Sequence, residues 1–119
     1  MSENHKRNAD PVLIYGTYPT LEEAERIGGV LVDAGLVACV NIIPGMTSIY
    51  LWQGARHRDS ECVMIAKTRA DLANRVIGEV KSRHSYTNPA LLVLPTSGGS
   101  AAFCTWIEEQ TASPTTPAT

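Results

Sequence analysis

His57, Asp59 and Glu61 alternate along the chain and carry the donor types of a cation site. In an extended strand, positions i, i+2 and i+4 point the same way, so an imidazole and two carboxylates share one face. The plainer reading is the solvated tip of a hairpin, where charged side chains are normal. Cys39, in Ala38-Cys39-Val40-Asn41, offers a thiolate suited to copper(I) or zinc. No second soft ligand stands near it in sequence, so its partners must come from elsewhere in the fold or from another subunit. As a nucleophile it would need His84 or His57 as base. No third orienting residue and no local signature accompany that pair, and the chain is read as a non-enzyme. His84-Ser85-Tyr86 sets an imidazole beside a phenol just ahead of Asn88-Pro89; His84 answers a helix dipole equally well. Lys67-Thr68 resembles a fragment of an anion site without the Gly-rich loop of one, and Thr68 capping a helix with Asp71 is more economical. The loop Thr96-Ser-Gly-Gly-Ser100 reads as a helix cap that a carboxylate or phosphate could also use.

The elements that position these residues follow from periodicity. Residues 12–18 form a near-continuous apolar and β-prone run, expected as a central strand. Thr20 and Glu23 then make a capping box, with Ala24, Ile27, Gly28 and Leu31 on one helical face and Gly35 placed to end it. The Gly28-Gly29 pair costs about 1 kcal/mol per residue in a helix and implies close backbone approach there. Residues 36–52 read as a long strand bent at Pro44-Gly45, Gln53-Gly54 as a turn, and residues 56–68 as the return strand. Beyond the bend, Ser48, Tyr50 and Trp52 share one face and Ile49 and Leu51 the other. A second helix is predicted over 69–84 with Leu72, Ala73, Val76, Ile77 and Val80 as its stripe, then a short strand over 90–94. A terminal helix over 101–110 carries Phe103, Trp106 and Ile107 on its docking side. The order is an α+β, ferredoxin-like βαββαβ antiparallel sheet with both main helices on one face and a C-terminal helix.

That plan leaves an apolar sheet face uncovered and a hairpin too long for one domain, and self-association is the simplest remedy. The chain has 119 residues, 44% of them hydrophobic and 18% charged, which suits one domain over 11–110. Residues 1–10 and 111–119 have the polar or Ser/Thr/Pro character of disordered ends. A formal net charge of −2 gives no drive toward nucleic acid or an anionic membrane. No apolar run approaches the roughly 20 residues of a membrane span, and the polar N-terminus points to a cytoplasmic address. Cys39, Cys62 and Cys104 are an odd set without disulfide-framework or zinc-knuckle spacing, and are read as reduced thiols.

Together these residues resemble the CutA family, the divalent-cation tolerance proteins. The resemblance covers about residues 12–110. It is carried by Ala38-Cys39-Val40-Asn41, Ile42-Ile-Pro-Gly45 and Ser48-Ile-Tyr-Leu-Trp52, then by Gly54, Glu61, Lys67-Thr68, His84, Tyr86, Pro89 and Trp106-Ile-Glu108. It implies a tight homotrimer, similar to the PII signal-transduction proteins, with hairpins pairing across subunits. The implied role is tolerance of or response to divalent metal ions, copper among them, with no metal required for folding. Cys39, His84 and Glu61 are then the metal candidates and Trp52, Lys67 and Tyr86 the cleft residues. A PII-like scaffold that binds a small anionic ligand or a protein partner is the alternative. Ser85 and Thr87 stand where the family usually has Pro and Glu, which weakens any metal site that would use that carboxylate. Cys62 and Cys104 have no support from the resemblance, and Phe103 replaces a usual tyrosine.

Overall fold

The computed structural model describes residues 8–117; residues 1–7 and 118–119, part of the ends read as disordered, lie outside it. The elements run β1 (Pro11–Tyr18), α1 (Leu21–Asp33), β2 (Cys39–Trp52), β3 (Ala55–Arg69), a 3-10 turn (Ala70–Leu72), α2 (Ala73–Arg83), β4 (Leu91–Pro95) and α3 (Ala101–Gln110). The strands form one antiparallel sheet in the order β2-β3-β1-β4, the ferredoxin-like α+β plan.

Register divides the sheet into a covered and an open face. Val12, Ile14 and Tyr18 of β1 and Cys62, Met64 and Ala66 of β3 are buried against Ala24, Ile27 and Leu31 of α1 and Val76 and Val80 of α2. Burying each large aliphatic side chain is worth about 1.5–3 kcal/mol, so this seam is the main source of stability. Opposite residues of an antiparallel pair share a face, so the pairs Leu13–Lys67 and Tyr15–Ile65 place their side chains on the other side of the sheet, with Leu92 and Leu94 of β4. There Leu92, Leu94 and Ile43 are exposed.

Local chemistry explains the ends of the elements. Thr20 Oγ1 accepts the Glu23 amide at 3.1 Å, half of the expected capping box; the Glu23 carboxylate goes elsewhere. Gly35, at φ +69°, closes α1 with its own amide on the Val32 carbonyl and that of Leu36 on Leu31, a Schellman motif only a left-handed residue completes. Gln53 and Gly54 both have positive φ, the signature of a type I′ hairpin turn. At Pro44-Gly45 the pairing steps from Ile43–Val63 to Met46–Glu61, so two residues of β2 oppose one of β3. Gly45 is at φ +78° in this β-bulge.

Several expectations are revised. Thr68 does not cap the second helix: its buried hydroxyl donates to the Leu36 carbonyl at 2.7 Å, tying β3 to the entry of β2. Arg69 precedes the 3-10 turn instead, and α2 proper starts at Ala73. Of the described α3 residues Ile107 is buried, while Phe103 and Trp106 stack on each other at 5.5 Å and stay exposed. Residues 111–117, read as the start of a loose tail, are bonded to the domain. Thr111 is fully buried with its carbonyl on Arg69, the Thr115 amide donates to the Ala34 carbonyl at 2.8 Å, and Arg75 donates to the Thr115 carbonyl. Backbone polar groups at the end of α1 needed partners, and the tail supplies them.

Candidate functional site

The bulge decides which side chains meet. Side chains alternate along a strand, so without the extra residue at Pro44-Gly45 the outer half of β2 would turn Ser48 and Tyr50 away from Asp59 and Glu61. With it, Ser48 lies opposite Asp59 and Tyr50 opposite His57. Ser48 Oγ donates to Glu61 Oε1 at 2.6 Å, and the Tyr50 hydroxyl donates to Asp59 Oδ2. His57 stacks on the Tyr50 ring at 5.5 Å. The alternating triplet therefore does share a face, and each member is engaged by a neighbour across the hairpin.

The second wall comes from the chain after α2. Tyr86 reaches over the hairpin base and its hydroxyl donates to Glu61 Oε2 at 2.9 Å. Burial and then this bond push the Tyr86 phenol up to about 12. The Tyr50 phenol is also raised, chiefly because its proton is held by Asp59. Tyr50, Trp52, Asp59, Glu61, Tyr86 and Thr87 line a groove of about 690 Å³ with no basic side chain among the described residues of its wall. Two carboxylates with phenol donors at an open mouth are hard oxygen ligands, suited to a divalent cation rather than to an anion. Asp59 and Glu61 are the carboxylates among the described residues of this wall.

His84 does not join them as a ligand. Its side chain is fully buried, stacked on Tyr18 at 4.8 Å. Nε2 lies 2.8 Å from the Thr17 carbonyl, which can only accept, so Nε2 carries the proton. Nδ1 is 3.0 Å from the Tyr86 amide, which can only donate, so Nδ1 holds the lone pair. Both nitrogens are spent, and the tautomer is set by these partners. The Tyr18 phenol beneath the ring is raised by burial and by the charge of Glu23.

The remaining candidates lie apart. Cys39, half-buried at the start of edge strand β2, pairs with Lys67. Lys67 stands six residues along β3 from Glu61, about 20 Å at the rise of a strand, with its ammonium 5.4 Å from the Phe103 ring centroid. The chain thus brings Trp52, Glu61 and Tyr86 to one groove and leaves Cys39 and Lys67 at the far end of the sheet. Among the described residues no three His, Cys, Asp or Glu side chains converge as a metal centre. Sequence reasoning missed Asp59 with Tyr50 as a bonded pair and Glu23 as a neighbour of His84. The first was within reach through the bulge; the second joins residues 61 positions apart and had no local signal.

A four-stranded βαββαβ sheet with α1 and α2 on one face, an exposed apolar surface on the other and a carboxylate groove at the base of a projecting hairpin defines a ferredoxin-like α+β protein with a candidate cation site. The chain belongs to the CutA1 divalent ion tolerance protein family, whose model matches residues 12–110. It is 45% identical over 96 residues to the divalent-cation tolerance protein CutA of Archaeoglobus fulgidus, covering 81% of this chain and 93% of that one. It is 34% identical over 109 residues to the chloroplastic protein CutA 1 of Oryza sativa subsp. japonica; that match takes in 92% of this chain and spans 62% of the length of the rice protein. The crystal structure of divalent ion tolerance protein CutA1 from Ehrlichia chaffeensis superposes with a TM-score of 0.83 at 32% identity, over 91% of this chain and 98% of that one.

Proposed function

We propose that the protein serves divalent-cation tolerance as a non-catalytic homotrimer that holds copper or another divalent ion in clefts between subunits. The observation that carries this reading is the groove, where Asp59 and Glu61 stand on one open face, bonded by Tyr50, Ser48 and Tyr86, beside an apolar sheet surface that a single chain leaves exposed. Asp59 and Glu61 are the oxygen donors, and a neighbouring copy supplies what one chain lacks. Cys39 is the second candidate locus; it would hold copper(I) only if another subunit brought a donor to the sheet edge. His84 orders the site rather than ligating. The anionic-ligand alternative is less well supported, because the one lysine it invokes lies against Phe103, far from Trp52 and Tyr86.

Calorimetric titration of the full chain under reducing conditions, with manganese(II) and with copper(I), tests the donors. The expected result is saturable manganese binding weakened about ten-fold or more by Glu61→Gln, the loss of one charged ligand being worth upwards of 1.4 kcal/mol, and little changed by Cys39→Ala. Equal, weak binding by the wild type and both variants would overturn the reading.

A further inference from the structure

The turn that carries Tyr86 is held by two side chains from distant elements. Glu23, in the first turn of α1, accepts the Ser85 amide on Oε2 at 2.9 Å. His84, the residue after α2, accepts the Tyr86 amide on Nδ1 at 3.0 Å. Its ring is clamped between Tyr18 at 4.8 Å and Tyr86 at 4.9 Å and pinned by Nε2–H on the Thr17 carbonyl. Glu23 Oε2 also lies 3.5 Å from Nδ1, so one carboxylate oxygen faces both the ring and the amide beside it. Two consecutive backbone amides are therefore held by side chains, and the phenol of the same Tyr86 donates to Glu61.

From this geometry we infer that Glu23 and His84 are positioning residues of a latch that sets Tyr86 over the groove and thereby determines whether Glu61 faces a cation with or without its phenol partner. The groups facing the ring are Thr17 and Tyr18 from β1, Glu23 from α1, and Tyr86 itself. Each accounts for one side of His84, so the imidazole has a single orientation and the Tyr86 amide a single acceptor. The latch rests on the proposal that the groove takes a divalent cation, since that makes the state of Glu61 matter, but its own geometry is read without any metal.

The test is nuclear magnetic resonance on the full chain, free of metal. Glu23→Ala should speed hydrogen exchange at the Ser85 amide about ten-fold or more, as expected for the loss of a charge-assisted bond. It should also move the Tyr86 ¹³Cζ resonance toward its position in Glu61→Ala, where the phenol has lost its acceptor. Glu23→Gln, which keeps an accepting oxygen, should restore both toward wild type. Glu22→Ala, which removes a charge from the same helical turn, should move neither. A Glu23→Ala chain that folds, binds manganese as the wild type does and leaves Tyr86 ¹³Cζ unshifted would overturn the latch. The predicted shifts in a chain that binds no divalent ion would uphold the latch while removing the cation reading.

Discussion

Glycines 28 and 29 look alike in sequence and do different things. A Cβ on Gly28 would sit 3.0 Å from Val40 Cγ2 and 3.1 Å from Met64 Sδ, so α1 approaches the sheet there as closely as a glycine allows. A Cβ on Gly29 would meet nothing within 4 Å. Gly29→Ala is therefore expected to raise stability by about 0.5–1 kcal/mol, the helix-propensity difference. Gly28→Ala gains the same propensity and loses it against the stiff Val40, with no net stabilisation. Urea unfolding of the two variants side by side decides this, and equal gains would show that the contact yields. The paired glycines were legible as a close approach, but which one makes it depended on the rotation of α1 about its own axis. His84 carries the same lesson: its type suggested a ligand, and only its partners, the Thr17 carbonyl and the Tyr86 amide, show that neither nitrogen is free.

Elements were the most legible level. The capping threonine at 20, Gly35 after α1, Gln53-Gly54 between β2 and β3, and the break at Pro44-Gly45 all act where their chemistry places them, because each is a short-range backbone requirement. What the local pattern could not show was how the C-terminal segment is used. Ser, Thr and Pro read as a loose end, yet Thr111 is fully buried and the Thr115 amide closes on the last turn of α1. A chain ending at Gln110 is expected to be less stable by about 2 kcal/mol, from the lost Arg69–Thr111 and Thr115–Ala34 bonds at roughly 1 kcal/mol each. Thermal unfolding measures it. An unchanged melting temperature would mean that the segment adds nothing to the domain.

At the scale of the whole molecule the open sheet face is the dominant feature. Leu92 is 64% exposed and Ile43 54%, on a sheet whose other side is well covered. Apolar surface of this kind is normally buried against another copy or a partner. The chain is expected to sediment at three times its 12.8 kDa mass. Placing carboxylates there with Leu92→Asp and Leu94→Asp together should return it to single-chain mass, since unpaired charges at a packed interface cost several kcal/mol. A wild-type chain that sediments as a monomer would remove the subunit clefts on which the cation reading depends.

The sequence by itself determined the order of elements, the face each strand residue occupies on either side of the bend, and the family, because these rest on local periodicity, turn chemistry and motifs spaced along the chain. Tertiary structure alone decided the site. It set Cys39 opposite Lys67, and so at the far end of β3 from Glu61, through the pairing of β2 with β3. It also joined Glu23, His84 and Tyr86 to the hairpin, since contacts between α1, the turn after α2 and β3 arise only when the helices pack on the sheet.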